Sequence, residues 1–212
     1  MSACGNSSPN DNPLADGAPP NGKRFHRFLR TGHILSSILR EILEEKFLHE
    51  VSPHTLNRAQ FCLLKLIALN VDLQVGEVAR WLGVSAAASS KNVDKLERLG
   101  LVARAATPTD RRATVLSASP DGQRLVAEYE HLKASRIAPV IDGMGPEKLD
   151  MLCGLLEEVC VELLQAEQPL SETCLRCAGY YEEDCSVAYV QGGCALQAHR
   201  ESHASDSTGK SL

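Results

Sequence analysis

The stretch from Gln74 to Arg112 constrains the fold most, because a short helix, a turn, a second helix and a basic hairpin follow there in the order that DNA-reading modules use. Val75, Val78, Ala79 and Leu82 recur at helical spacing, and Gly83 after them can take the left-handed conformation that ends a helix. Ser85 then stands where an N-cap belongs, and Ala86 to Leu99 are mostly good helix formers. Val93, Leu96 and Leu99 give this second helix one apolar stripe. Ser89, Ser90, Lys91, Asn92 and Lys95 are expected as donors on its exposed side, where a recognition helix meets base edges and phosphates.

Beyond Gly100, the segments Leu101 to Ala103 and Ala113 to Leu116 read as two short strands joined by a tip holding Pro108, Asp110, Arg111 and Arg112. An arginine at such a tip can enter a narrow minor groove, while Asp110 can hold one guanidinium in place and so stabilise the wing. From Ser85 to Arg112 the cations Lys91, Lys95, Arg98, Arg104, Arg111 and Arg112 stand against Asp94, Glu97 and Asp110. The module is therefore basic although the whole chain carries a formal net charge of -5, which argues against indiscriminate nucleic-acid binding.

With those residues in view the chain resembles the MarR family of winged helix-turn-helix repressors. Arg58-Ala-Gln-Phe61, Gly76-Glu-Val-Ala79, Leu82-Gly-Val-Ser85, Val93-Asp-Lys-Leu-Glu97, Gly100-Leu-Val102 and Asp110-Arg-Arg112 fall in the family's order and at its spacings, over roughly Phe25 to Ala166. The resemblance implies a mainly α fold with a small β-hairpin wing, flanked by N- and C-terminal dimerisation helices, and a homodimer that binds double-stranded DNA. It implies a DNA-contacting set of Ser85, Ser89, Ser90, Lys91, Asn92, Lys95, Arg111 and Arg112. It also implies small aromatic or phenolic effectors bound between the dimerisation and DNA-binding regions. One departure is that Ala86, Ala87 and Ala88 fill positions where the family usually has polar residues, which shifts base readout toward Ser89, Ser90, Lys91 and Asn92.

Around the module the chain organises into a tail at 1–22, expected to be disordered for its Pro, Gly, Ser and Asn content, and a long amphipathic helix over 23–51. The winged helix-turn-helix takes 52–120, with a supporting helix from Thr55 to Leu69. Helices over 121–168 follow: one from about Gln123 to Ile137, a break at Pro139, Gly143, Gly145 and Pro146, and a last helix. There Leu149, Leu152, Leu156, Val159 and Leu163 form a heptad seam suited to a helical partner. Cys62, Cys153 and Cys160 are read as packing residues. No apolar run is long enough to span a bilayer and the start lacks the regions of a signal peptide, so a cytoplasmic protein is expected.

The segment 169–200 is unusual, with Cys174, Cys177, Cys185 and Cys194 in a polar stretch poor in core residues, ahead of a Ser-rich tail at 201–212 expected to be disordered. In a reducing cytoplasm four thiolates around a metal would fold what burial cannot. Tetrahedral zinc and an iron-sulfur cluster both fit the ligand set, and a metal-free thiol-disulfide switch remains a third possibility. His199 could replace one cysteine, though the four cysteines are the preferred set. The sequence thus points to a regulator, not an enzyme: no nucleotide-binding glycine loop or Ser-His-Asp set is evident. Its DNA affinity would respond to a redox- or metal-sensing cysteine site. The alternatives are a ligand-sensing repressor with structural zinc and an adaptor that has kept the fold but lost DNA binding.

Overall fold

A computed structural model gives the fold and describes residues 22–69, 73–74, 78–79, 85–106, 114–167, 185 and 188. The chain divides into two compact units, Met1–Glu44 and Glu45–Leu212. In the first unit α1 spans Gly22–Leu39 and buries none of its residues. Phe25, Phe28, Leu29, Ile34, Leu35, Ile38 and Leu39 are all exposed. The single helix expected over 23–51 is instead three pieces, because Arg40–Lys46 is π-helical and a short α2 follows at Phe47–Val51. The apolar pattern there steps by four (Leu35, Leu39, Leu43; Ile38, Ile42), a spacing that a wider turn also accommodates.

In the second unit the core forms around α3, Arg58–Leu69, which buries Phe61, Leu63, Leu64, Leu66 and Ile67. It begins later than the expected Thr55 because Asn57 caps it reciprocally. The amide of Gln60 donates to Asn57 Oδ1 at 2.9 Å and the amide of Asn57 to Gln60 Oε1 at 3.1 Å, so two otherwise orphaned donors are satisfied. Three strands make one antiparallel sheet in the order β1-β3-β2, with β1 at Leu73–Gln74, β2 at Val102–Ala106 and β3 at Thr114–Ala118. Leu73 lies opposite Leu116, both fully buried, and this pair fastens the sheet to the core.

Between the sheet strands runs α4, Ala86–Arg98, and after them come α5, Pro120–Asp142, and α6, Pro146–Ala166. Pro120 and Gly122, expected to precede a helix, are its first turn: Ser119 is the N-cap, its hydroxyl accepting from the Gly122 amide at 3.1 Å, and proline suits the first helical position. Nor does Pro139 break the chain, since α5 continues through it to Asp142, at the cost of the hydrogen bond that an amide at position 139 would donate to Ser135 O.

The packing of α3 on α5 is partly polar. Phe61 and Tyr129 meet edge to face at 4.6 Å between centroids. The buried Lys65 passes 5.5 Å from the Tyr129 ring to reach Glu130 at 2.6 Å, and Lys133 pairs with the same carboxylate. Burial pushes the Glu130 carboxyl up, but the two ammonium groups outweigh it and hold its pKa below the usual range.

In contrast α6, with its many leucines, buries no residue. Met151, Leu152, Leu155, Leu156 and Leu163 are exposed, a face wider than the heptad seam alone. Among the described residues, no helix is long and apolar enough to cross a membrane.

Candidate nucleic-acid interface

The helix α4 is built to stand on the core and present one side outward. Ser85 begins it in an extended conformation, its hydroxyl accepting from the amide of Ala88 at 3.2 Å, as its position in the sequence predicts. Gly100, with φ of 71°, ends it: the Gly100 amide donates to Glu97 O at 2.9 Å and the Leu101 amide to Leu96 O at 3.0 Å. That pair of bonds is a Schellman closure, which requires the left-handed residue glycine supplies without strain.

Ser89, Val93 and Leu96 form the buried stripe. Ser89 is therefore a correction: expected among the exposed donors, it is 1% exposed, and its hydroxyl has no hydrogen-bond partner among the described residues. The reason is helical spacing, since residue 89 lies four before Val93 and seven before Leu96 and so shares their face. The signal was in the sequence, hidden by the polarity of serine. Of the other expected contacts, Ser85 and Lys91 are exposed, and Ser90, Asn92 and Lys95 are half-buried. Ala87, Lys91, Asp94 and Arg98 occupy the side opposite the buried stripe, and all four are exposed. Arg98 folds back on its own helix, its Nε donating to Asp94 O at 3.3 Å.

The hairpin of β2 and β3 is in register from Val102 opposite Ala118 to Ala106 opposite Thr114; each strand starts one residue later than the sequence reading, and β2 ends three and β3 two residues later. Asp110, Arg111 and Arg112 belong to the connection between these paired strands and lie outside the described residues. A charged contact that the sequence reading did not assign links hairpin and helix. Arg104 on β2 reaches Asp94 Oδ1 with Nη2 at 2.5 Å and Glu97 Oε2 with Nη1 at 3.1 Å.

A joint of short contacts fixes the far end of α4 to α5. The Ser119 hydroxyl donates to Gly100 O at 2.6 Å while its amide donates to Leu101 O at 3.0 Å. Gly122 sits so close that a Cβ there would lie 2.2 Å from Leu101 O and 3.1 Å from Leu64 Cδ1. Only glycine fits without moving backbone.

Of the expected metal ligands, Cys174, Cys177 and Cys194 lie outside the described residues, and Cys185 is a half-buried free thiol. Among the described residues no group of three or more His, Cys, Asp or Glu side chains is gathered to hold a metal ion. Cys62 is half-buried rather than fully in the core, and Cys153 and Cys160 are exposed on α6.

Comparison with known proteins agrees with this geometry. A family model described as MarR family matches residues 54–113, which run from just before α3 to the end of the wing connection. The chain is 28% identical over 126 residues to the HTH-type transcriptional regulator MhqR of Bacillus subtilis (strain 168), covering 59% of this chain and 86% of that protein. Among solved structures it resembles Streptococcus pneumoniae FabT in complex with DNA, at a TM-score of 0.57 and 19% identity over 66% of this chain and 99% of FabT. A MarR family protein from Bacillus stearothermophilus matches equally well, at a TM-score of 0.57 and 21% identity, over 68% and 99% of the two chains. These structural likenesses bear out the mainly helical winged-helix architecture with its two-stranded wing.

Proposed function

We propose that this chain is a MarR-type winged helix-turn-helix transcriptional regulator, not an enzyme, that binds operator DNA as a homodimer and acts as a repressor; the family match over residues 54–113 and the likeness to MhqR support the reading. The observation that carries the reading is the capped α4, anchored through Ser89, Val93 and Leu96 and presenting Lys91 on its outer side with Lys95 beside it. A helix so held can enter a major groove with its N-terminal half, where Ala87 and Ala88 would meet thymine methyls and Ser90 and Asn92 base edges or phosphates. Arg111 and Arg112 would reach the backbone or the minor groove from the wing.

The exposed apolar residues of α1 and of α6 support the dimer, because soluble monomers rarely leave such faces uncovered. Two reading helices about 34–36 Å apart would then require a pseudo-palindromic operator. Selection from a random duplex pool, followed by affinity measurements over a salt series, tests the reading. A pseudo-palindromic consensus and a steep loss of affinity with salt support it, and equal binding to all duplexes removes it.

The same reading gives Cys174, Cys177, Cys185 and Cys194 a metal-holding and sensing role. Four thiols are a donor set that either a tetrahedral zinc ion or an iron-sulfur cluster accepts, and the carbonyl of Cys185 takes the amide of Ala188 at 3.0 Å. Such a group, when bound, cross-links four positions beyond α6, and protonation or oxidation of the thiolates releases it. Metal content and visible absorbance of anaerobically purified protein separate cluster, zinc and bare thiols.

A ligand-sensing repressor has one supporting observation, an open groove of about 540 Å³ between α2 and α5 lined by Glu50, Val51, Ala127, Glu128, His131 and Leu132. Its two carboxylates already face arginines, Glu50 with Arg136 at 3.0 Å and Glu128 with Arg124 at 3.9 Å, so the groove offers a nearly neutral lining to the phenolic effector that the family resemblance implies.

A further inference from the structure

We infer that Arg104 is a positioning residue for DNA reading: it holds the wing against the recognition helix and cancels two carboxylates that this helix would otherwise turn toward phosphate. The inference rests on the DNA-binding reading proposed above.

Sheet register sets the geometry. Arg104 lies opposite Leu116 and two residues after Val102, both buried, so it stands on the inward face of the sheet where the hairpin runs out past the core. From there its side chain meets α4, and each terminal nitrogen takes a different acid, Asp94 at 2.5 Å and Glu97 at 3.1 Å. Three apart on one helix, these acids are neighbours on its surface and match the fixed fork of a guanidinium, which stays charged at any physiological pH. The Arg104 side chain is 29% exposed, less than either partner at 51% and 41%. It is the least exposed member of the trio.

Exposed ion pairs of this kind contribute little to stability, so a purely structural account leaves the arrangement without much purpose. The electrostatic account gives it one. Asp94 is exposed on the same side of α4 as Lys91 and Arg98, one turn beyond Lys91. Unneutralised, it and Glu97 would repel the phosphates that the cations attract. With both terminal nitrogens engaged, Arg104 acts through the acids and not on DNA.

The experiment measures operator affinity over a salt series for full-length wild type, Arg104→Ala, Arg104→Lys, Asp94→Asn/Glu97→Gln and the triple variant, with thermal melting of each. Arg104→Ala is expected to weaken binding on the order of tenfold or more, as like charges brought together do. Its melting should be nearly unchanged and its salt slope retained, because no phosphate contact is lost. Arg104→Lys should recover part of the affinity. In the Asp94→Asn/Glu97→Gln background, loss of Arg104 should cost little more, since its partners are gone.

An equal cost in both backgrounds, or a salt slope lower by about one, would mean that Arg104 contacts DNA itself and would overturn the inference while leaving the DNA-binding reading intact. Unchanged affinity of Arg104→Ala overturns it likewise. A folded wild type that selects no duplex overturns both readings together.

Discussion

The helices α4 and α6 are both regular and both carry leucine and valine at helical spacing, yet α4 buries Ser89, Val93 and Leu96 while α6, at 21 residues the longer, buries nothing. The difference lies in what surrounds them. A helix of α4's length is marginal alone, and α4 is held by a cap at each end, a core stripe and a strand alongside. The described part of the reading module is thus supported within one chain. Among the described residues the leucines of α6 find no such neighbours, and in the homodimer proposed above a second copy would bury them.

The sharpest way to break this contrast is Leu156→Asp. Placed in a dimer seam, the carboxylate is buried unpaired at a cost of several kcal/mol. Sedimentation should show a monomer and operator binding should be lost, whereas circular dichroism of the reading module stays unchanged because Leu156 is exposed in the single chain. Retained dimers would mean that α6 is not the seam.

The converse change, Leu96→Ala, cuts a fully buried side chain out of the module. It should lower stability by about 2–5 kcal/mol in denaturant titration. Should it cost no more than Leu156→Asp costs the isolated monomer, the module is not the self-sufficient part.

A smaller effect is expected at Ser85→Ala, which removes the acceptor for the Ala88 amide. About 1 kcal/mol of stability should go, with affinity falling in step because the same turn approaches DNA.

The smallest effect concerns pH. The folded pKa of Glu130 is lowered, so its ion pairs with Lys65 and Lys133 stabilise the fold above the ordinary carboxylate range. That contribution is lost as pH falls through the lowered value. Glu130→Gln should reduce the acid sensitivity of melting below about pH 4.5, and an identical pH profile would remove the pair from the account.

Local signals carried the module into view. Ser85 as a cap, the 93/96 spacing and the glycine at position 100 each depend on a few consecutive residues, and each has its expected place in the structure. The departures have two sources, a local spacing masked by polarity and contacts with distant chain. Ser89 looked like a donor because polarity was weighed above its spacing to Val93. Pro120 and Gly122 read as residues preceding a helix, though both lie in its first turn and Gly122 is a point of backbone contact. The role of Arg104 needed the β2 register, which turns its side chain inward toward α4. No local pattern announces that.

The contact of Gly122 with Leu101 has a mechanical meaning. Where a backbone carbonyl meets a backbone Cα with no side chain between them, nothing compressible separates the parts, and Ser119 bolts the same spot with two hydrogen bonds. A rotation of α5 therefore has no slack to take up before it reaches the end of α4.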